Sequence, residues 1–312
     1  DYLDLADGSD FVAGISDFDA EAKEKGVCIL SGVSSFPVLT AAVVADLSLS
    51  FSRLDTVVGG IAPSPYAGVG PNVIRAISGY AGKPVALLRN GRHTTGYALT
   101  EAMHYTVAPP GRLPLRNTRF SLVDVPDLTV IPAIWPSLNS VWMGAGPVPE
   151  VLHRALNGLA WLVRIRLLPS LLPFAKVFHR AINIIRWGEH RGGMFVRVEG
   201  MSKGGDPIER SWHLLAEGDD GPLIPSMAAE AIIRRRLSAG NRPAPGARPA
   251  MGEVTLAEYE RLFDRRTIHT GIRRGGRSPD APLYRRILDS AWDALPAPIR
   301  MMHAVSGRMT AT

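Results

Sequence analysis

Residues 26–49 read GVCILSGVSSFPVLTAAVVADLSL. The run Val27-Cys28-Ile29-Leu30 is apolar without alternation, the pattern of a strand buried on both faces. Ser31 to Ser35 is a turn of small residues. Pro37 stands where a helix can begin, since its fixed φ suits the first helical position and its missing N–H costs nothing there. Val38 to Leu47, rich in Ala, Val and Leu, is predicted to continue as a mostly buried helix. Strand, turn and helix form one unit of a parallel α/β sheet. Ligands of such sheets gather at the carboxyl ends of strands, where helix N-termini offer N–H groups. The turn Ser31 to Ser35 is therefore the first candidate for receiving an anionic guest. A nucleophile elbow does not fit, because Phe36 stands where Gly-x-Ser-x-Gly needs its second glycine.

Working outward, Tyr2 to Leu5 is a short strand candidate with polar Asp4 and Asp7 at its end. Ser16 and Asp19 resemble a capping box, opening a helix that runs through Lys25 and stops at Gly26. The first fifty residues thus hold two parallel strands joined by a helix. Two strands do not make a stable sheet, and the sequence opens at Asp1 without Met, so it reads as a chain that begins in mid-domain. The 312 residues suffice for about two domains. Apolar content of 46% excludes global disorder. Lys plus Arg is 35 against 29 for Asp plus Glu, a net charge of +6 that does not call for nucleic acid. Cys28 stands alone, so there is no internal disulfide framework and no zinc set built from cysteines. A single buried thiol fits a reducing compartment, and a cytoplasmic protein is expected.

Past Phe51 the pattern changes. Leu54 to Ile61 reads as a strand, Asn72 to Tyr80 as a short helix, and the residues around Asn90-Gly91 as a β-hairpin. Phe120 to Val125, Leu128 to Ile131 and Val141 to Met143 read as strands. Val148 to Trp187 is the most apolar region, broken by Arg154, Arg164, Arg166, Lys176, Arg180 and prolines. No run in it approaches the roughly 20 apolar residues of a membrane span. It is read as a pair of buried helices, with a lid, a dimer surface or an in-plane membrane helix as the alternative. Met194 to Val198 and Ile208 to Ala216 pair as antiparallel strands. Pro225-Ser226 starts a helix to Ser238, Asn241 to Pro249 is a Pro- and Gly-rich connection, and Thr255 to Glu258 is a capping box. Arg273 to Pro282 reads as a linker and Leu283 to Leu295 as an amphipathic helix.

No Gly-x-Gly-x-x-Gly follows a strand; Gly68-Val69-Gly70 and Gly144-Ala145-Gly146 lack the third glycine. The eight histidines show no zinc spacing, so no metal is expected. His213, after Trp212 on a strand, is an acid–base candidate. Asp124 closes a strand before Pro126, where a carboxylate reaches a sheet end; a turn-forming Asp is the competing reading. Glu217, with Asp219 and Asp220, is a candidate for a metal or an amine substrate, against a solvated turn. The arginines near 234–236 and 261–277 lack aromatic interleaving, which argues against nucleic-acid binding.

Asp1 to Ala6, Ala20 to Gly26 and Cys28 to Leu39 together resemble the later half of the Rossmann domain of saccharopine dehydrogenase-like oxidoreductases. Leu122 to Asp127, Arg191 to Met194 and Ala216 to Pro222 are similar to bacterial members, and Tyr284 to His303 is similar to the opening of a C-terminal domain of unknown function. The resemblance covers most of Asp1 to Gly271. It implies an α/β protein: the remainder of a Rossmann-type parallel sheet (1–52), an α+β second domain with a mixed sheet and apolar helices (53–272), then a linker and the start of a further domain (273–312). It implies NAD or NADP as cofactor and hydride transfer on a carbon bearing nitrogen or oxygen. Asp4, Ser31, Gly32, Ser34, Ser35 and Pro37 would lie on the cofactor, near its nicotinamide end, with Asp124, His213 and Glu217 near the substrate. A small or lipid-like substrate, a homodimer and peripheral membrane contact through 148–187 are the expected partners.

Overall fold

The computed structural model describes residues 1–146, 150–184, 187–238, 243–275 and 283–303. In chain order the strands are β1 (Tyr2–Leu3), β2 (Cys28–Ser31), β3 (Phe51–Ala62), β4 (Pro84–Arg89), β5 (Arg92–Tyr97), β6 (Ala102–Val107), β7 (Leu115–Leu122), β8 (Ser140–Ala145), β9 (Arg191–Ser202), β10 (Pro207–Glu217), β11 (Gly246–Pro249) and β12 (Ile268–Arg274). The helices are α1 (Ser9–Gly14), α2 (Asp19–Glu24), α3 (Thr40–Ser48), α4 (Pro71–Tyr80), α5 (Asp127–Ile134), α6 (Glu150–Arg164), α7 (Ala175–Ile184), α8 (Ile224–Leu237), α9 (Leu256–Phe263), α10 (Leu283–Leu288) and α11 (Ala297–His303).

The unit read from residues 26–49 forms, and it sits at the centre of a small parallel sheet. β2 pairs with β1 on one side, Leu30 opposite Leu3, and with β11 on the other, Cys28 opposite Gly246. The fold class expected from the sequence, a parallel sheet followed by a mixed one, is the one found. The third strand departs from expectation. Gly246–Pro249, read as part of an irregular connection, enters this first sheet from two hundred residues away. Residues 241 and 242 of that stretch lie outside the described residues. Ser16 makes no cap; the helical segment starts earlier, at Ser9, and Asp19 instead accepts the Ala247 N–H at 3.0 Å, tying α2 to β11.

The second sheet has seven strands in the order β12-β10-β9-β3-β8-β7-β6. β3 and β8 are parallel, and the other pairs are antiparallel. The sheet curls until β6 packs across β9 and β10. Its concave side holds a small core with Phe120, Phe195 and Leu215, where Tyr105 stacks on Phe195 at 3.9 Å. Gly60 is required there, since an added Cβ would stand 2.6 Å from the Phe195 ring. Its other side shares the main core with the parallel sheet. Trp212, Val57 and Val196 meet Leu30, Val43, Ile232 and Tyr259 in that core. α3 is buried in that core from Thr40 to Val44 and meets solvent at Ala45 and Asp46.

Two further expectations are corrected. Leu128 to Ile131 is not a strand: Asp127–Ile134 is helical, and Leu128 and Ile131 lie in the core beneath α3. Residues 148–187 are not a pair of buried helices. α6 and α7 lie on the surface and expose Trp161, Ile165, Val177 and Ile184; 147–149 and 185–186 lie outside the described residues. The supposed linker begins as a strand, β12 reaching Arg274, while 276–282 lie outside the described residues. The helix expected over 283–295 is instead α10 followed by a 3₁₀ turn over Asp289–Trp292, and α11 starts beyond it.

Candidate functional site

The turn Ser31 to Ser35 does stand at the carboxyl end of β2. Its amides, however, are already engaged. Asp4, just past β1, places Oδ1 where it accepts the Ser31 hydroxyl (3.0 Å), the Gly32 N–H (3.0 Å) and the Ala6 N–H (2.9 Å). The Val33 N–H donates to the Asp4 carbonyl at 2.7 Å. Gly32 has φ +72 and is packed against Val12 and Pro37, so a side chain there would be strained and crowded. Ser31, Val33, Ser35 and Pro37 are buried, and only Ser34 keeps a half-open surface. Two sequence candidates, Asp4 and Gly32, thus bind one another, and the anionic guest of this turn is the protein's own carboxylate.

The accessible part of this sheet end is the loop after β1. Asp7 and Gly8 are exposed there, and Ser9 opens α1. The Ser9 hydroxyl donates to Asp124 Oδ1 at 2.7 Å, so the turn after β7 is pinned to the turn after β1. Asp7 shares the place. Crowding by neighbouring atoms pushes its carboxyl up although its surface stays accessible, and the nearby Asp124 charge adds to the rise. Tyr80, the last residue of α4, completes the group. Burial first, then the charges of Asp7 and Asp124, raise its phenol well above the ordinary tyrosine range, so it holds its proton. The Ser9–Asp124 hydrogen bond thus joins two of the segments directly, and Asp7 and Tyr80 lie within electrostatic reach of it beside one end of the parallel sheet. Sequence reasoning found Asp124 here, noted Asp7 only as a strand end and missed Tyr80, which ends an otherwise ordinary amphipathic helix.

His213 and Glu217 are not part of this group. His213 is fully buried on the concave side of the curled sheet. Its Nδ1 accepts the Ala108 N–H at 3.1 Å, and its Nε2 lies 2.9 Å from Ser211 Oγ. With Nδ1 accepting, the ring proton is assigned to Nε2, which donates to Ser211. Burial and the Arg273 charge push its pKa down to about 3. A sealed, neutral imidazole cannot exchange protons with a substrate, so this candidate is corrected to a structural role. Glu217 ends β10 through its backbone: its N–H donates to the Thr267 carbonyl at 2.9 Å, and its carbonyl accepts the Thr267 hydroxyl at 2.7 Å. Asp220 accepts the Thr267 N–H and hydroxyl, each at 2.6 Å, and those bonds hold its carboxyl below the usual range. The acidic loop is the clasp between β10 and β12. Among the described residues, no three His, Cys, Asp or Glu side chains are placed to hold a metal.

The chain superposes on the apo form of the L-Glu-forming saccharopine dehydrogenase of Saccharomyces cerevisiae with a TM-score of 0.53, covering 83% of this chain and 77% of that one at 11% identity. The fold is similar to that of saccharopine dehydrogenase. At this identity the likeness concerns fold alone. No family model and no curated protein sequence matches the chain.

The sheet end can be tested against a nicotinamide dinucleotide. The Gly32 and Val33 amides are taken, and the Asp4 carboxylate among them repels phosphate, so these residues offer the pyrophosphate no cradle. They suit an uncharged, hydroxyl-bearing end better. Asp4 Oδ2 is buried without a partner, and Ser34, in the turn that Asp4 holds, is half-open.

Proposed function

We propose that this protein is an NAD(P)-dependent oxidoreductase of the saccharopine dehydrogenase-like type, acting on a small or lipid-like substrate. The reading rests on one observation: Asp7 and Tyr80 lie within electrostatic reach of the Ser9–Asp124 bond at the carboxyl end of a parallel sheet, where α/β folds place their ligands. The shared fold supports it. Ser34 and the loop after β1 would hold the nicotinamide–ribose end. The bound dinucleotide would supply or accept the hydride.

The chain's own residues then handle the proton. Tyr80 keeps its phenolic hydrogen at neutral pH and is suited to offer it as a hydrogen bond, not to release it, to the oxygen or nitrogen on the carbon being reduced. Asp124, oriented by the Ser9 hydroxyl, and Asp7 are suited to hold a cationic nitrogen or to return the proton. The experiment is a titration of NADH and NADPH into the protein, followed by nicotinamide fluorescence, with Ser34→Trp as the blocking variant. At least one coenzyme is expected to bind, and Ser34→Trp to weaken it. Tyr80→Phe should leave coenzyme binding unchanged and lower kcat/KM for the reduced substrate by about a hundredfold, the lower range for loss of one hydrogen-bond donor to developing charge. Failure of both coenzymes to bind sinks the proposal.

A further inference from the structure

α6 is attached to the body by Ala160 and Val163, with Leu156 and Leu159 packed beside them, and by two polar side chains. Its inward face carries His153 and Asn157, both buried, and the Asn157 amide donates to the Leu99 carbonyl at 2.9 Å. Its outward face carries Val151, Trp161 and Ile165. The strap that follows exposes Leu167, Leu172 and Phe174, and α7 exposes Val177 and Ile184, the latter 70% accessible. Trp187 beyond it is 67% accessible. Scattered single apolar residues need no explanation, but this many along one stretch do.

The charge of the stretch is one-sided. Between residues 151 and 188 the sequence holds Arg154, Arg164, Arg166, Lys176, Arg180 and Arg186, and no Asp or Glu. Arg154 pairs with Glu150, and Arg164 stacks on the Tyr97 and Trp161 rings. Arg166, Lys176 and Arg180 are exposed and make no ion pair among the described residues. A second copy meeting this face across a two-fold axis would bring another surface of the same sign, with no Asp or Glu from 151–188 to pair the cations. An anionic surface has the complementary charge. No described helix is long and apolar enough to cross a membrane.

We propose that the face built from α6, the strap 165–174 and α7 docks on anionic phospholipid bilayers. The apolar side chains enter the headgroup boundary, and Arg166, Lys176 and Arg180 meet the lipid charge. The inference does not depend on coenzyme binding, and its test reads a different quantity. The protein is sedimented with vesicles of phosphatidylcholine alone and of phosphatidylcholine mixed with phosphatidylserine. Partition into the mixed vesicles should be stronger by on the order of a hundredfold, as three basic residues near the surface imply, and should weaken at high salt. Leu172→Ser with Phe174→Ser and Val177→Ser should abolish it, and Lys176→Glu with Arg180→Glu should erase the preference for phosphatidylserine. These side chains are exposed, so melting temperatures should not change. Partition that is absent, or equal for both vesicle types, overturns the proposal. So does a chain that is dimeric without lipid and becomes monomeric in the serine variant, since the face would then belong to a second copy.

Discussion

Asp127 sends both carboxylate oxygens into the interior without a hydrogen-bond partner. Burial raises its pKa to about 7, with the nearby Thr40 hydroxyl pulling the other way. The unfolded value is about 3.9. Between these limits the folded state holds a proton that the unfolded state has released, so the contribution of Asp127 to stability falls as pH rises from about 4 to 7. Asp127→Asn should therefore melt higher than the parent at pH 8, the gain being about 1.4 kcal/mol at most for each pH unit that separates the folded value from the unfolded one. The margin should close at pH 4; a pH-independent difference would contradict the assignment. His213 acts in the opposite sense. Its pKa falls from about 6.5 unfolded to about 3 in the fold. Acidification below 6.5 thus protonates the unfolded chain first and costs stability. His153, pushed down to about 4 by burial and by Arg119, adds to the same loss. At this scale the sequence was least legible. A histidine on a strand looks the same whether it faces substrate or Ala108, and nothing in the string shows Asp4 folding back onto the Gly32 amide.

Elements were read well where local chemistry alone decides them. The Asn90-Gly91 turn forms with both residues at positive φ, 51 and 72, joining β4 to β5. Thr255 accepts the Glu258 N–H at 3.3 Å, and the Glu258 carboxylate accepts the Thr255 N–H at 2.8 Å, closing the capping box in both directions. Thr255→Ala should cost about 1 kcal/mol, read by chemical denaturation, while Thr255→Ser should cost almost nothing. Elements were misread where packing decides. α5 buries Leu128 and Ile131 on one side, but its outward side carries Val130, Ala133 and Ile134, so the apolar residues show no period and Leu128 to Ile131 is indistinguishable from a strand. Ser16 has the spacing of a cap but no helix start to serve, because Ser9 had already begun the helical run. α6 buries Ala160 and Val163 as its period requires, but it also buries Asn157 and leaves Trp161 exposed, two placements that periodicity does not show.

The whole molecule is tied together by a strand that arrives late. β11 is held by the Gly246 N–H on the Val27 carbonyl (2.9 Å), the Ala250 N–H on the Ser31 carbonyl (2.8 Å) and the Asp19 carboxylate on the Ala247 N–H (3.0 Å). Asp19→Ala should speed hydrogen exchange of the Ala247 amide by roughly fivefold, the loss of about 1 kcal/mol for one such bond, with little effect on β9 or β10 amides. An equal acceleration everywhere would mean that β11 opens only when the entire protein unfolds. A ribosome makes roughly 5–20 residues each second. The edge of β2 that β11 will cover must therefore wait for about two hundred further residues, on the order of 10–40 s, with its amides unpaired. Newborn copies pass through a stage in which a hydrophobic strand edge stands open to neighbours. Expression yield should consequently respond to holdase chaperones more than the finished protein's stability would suggest.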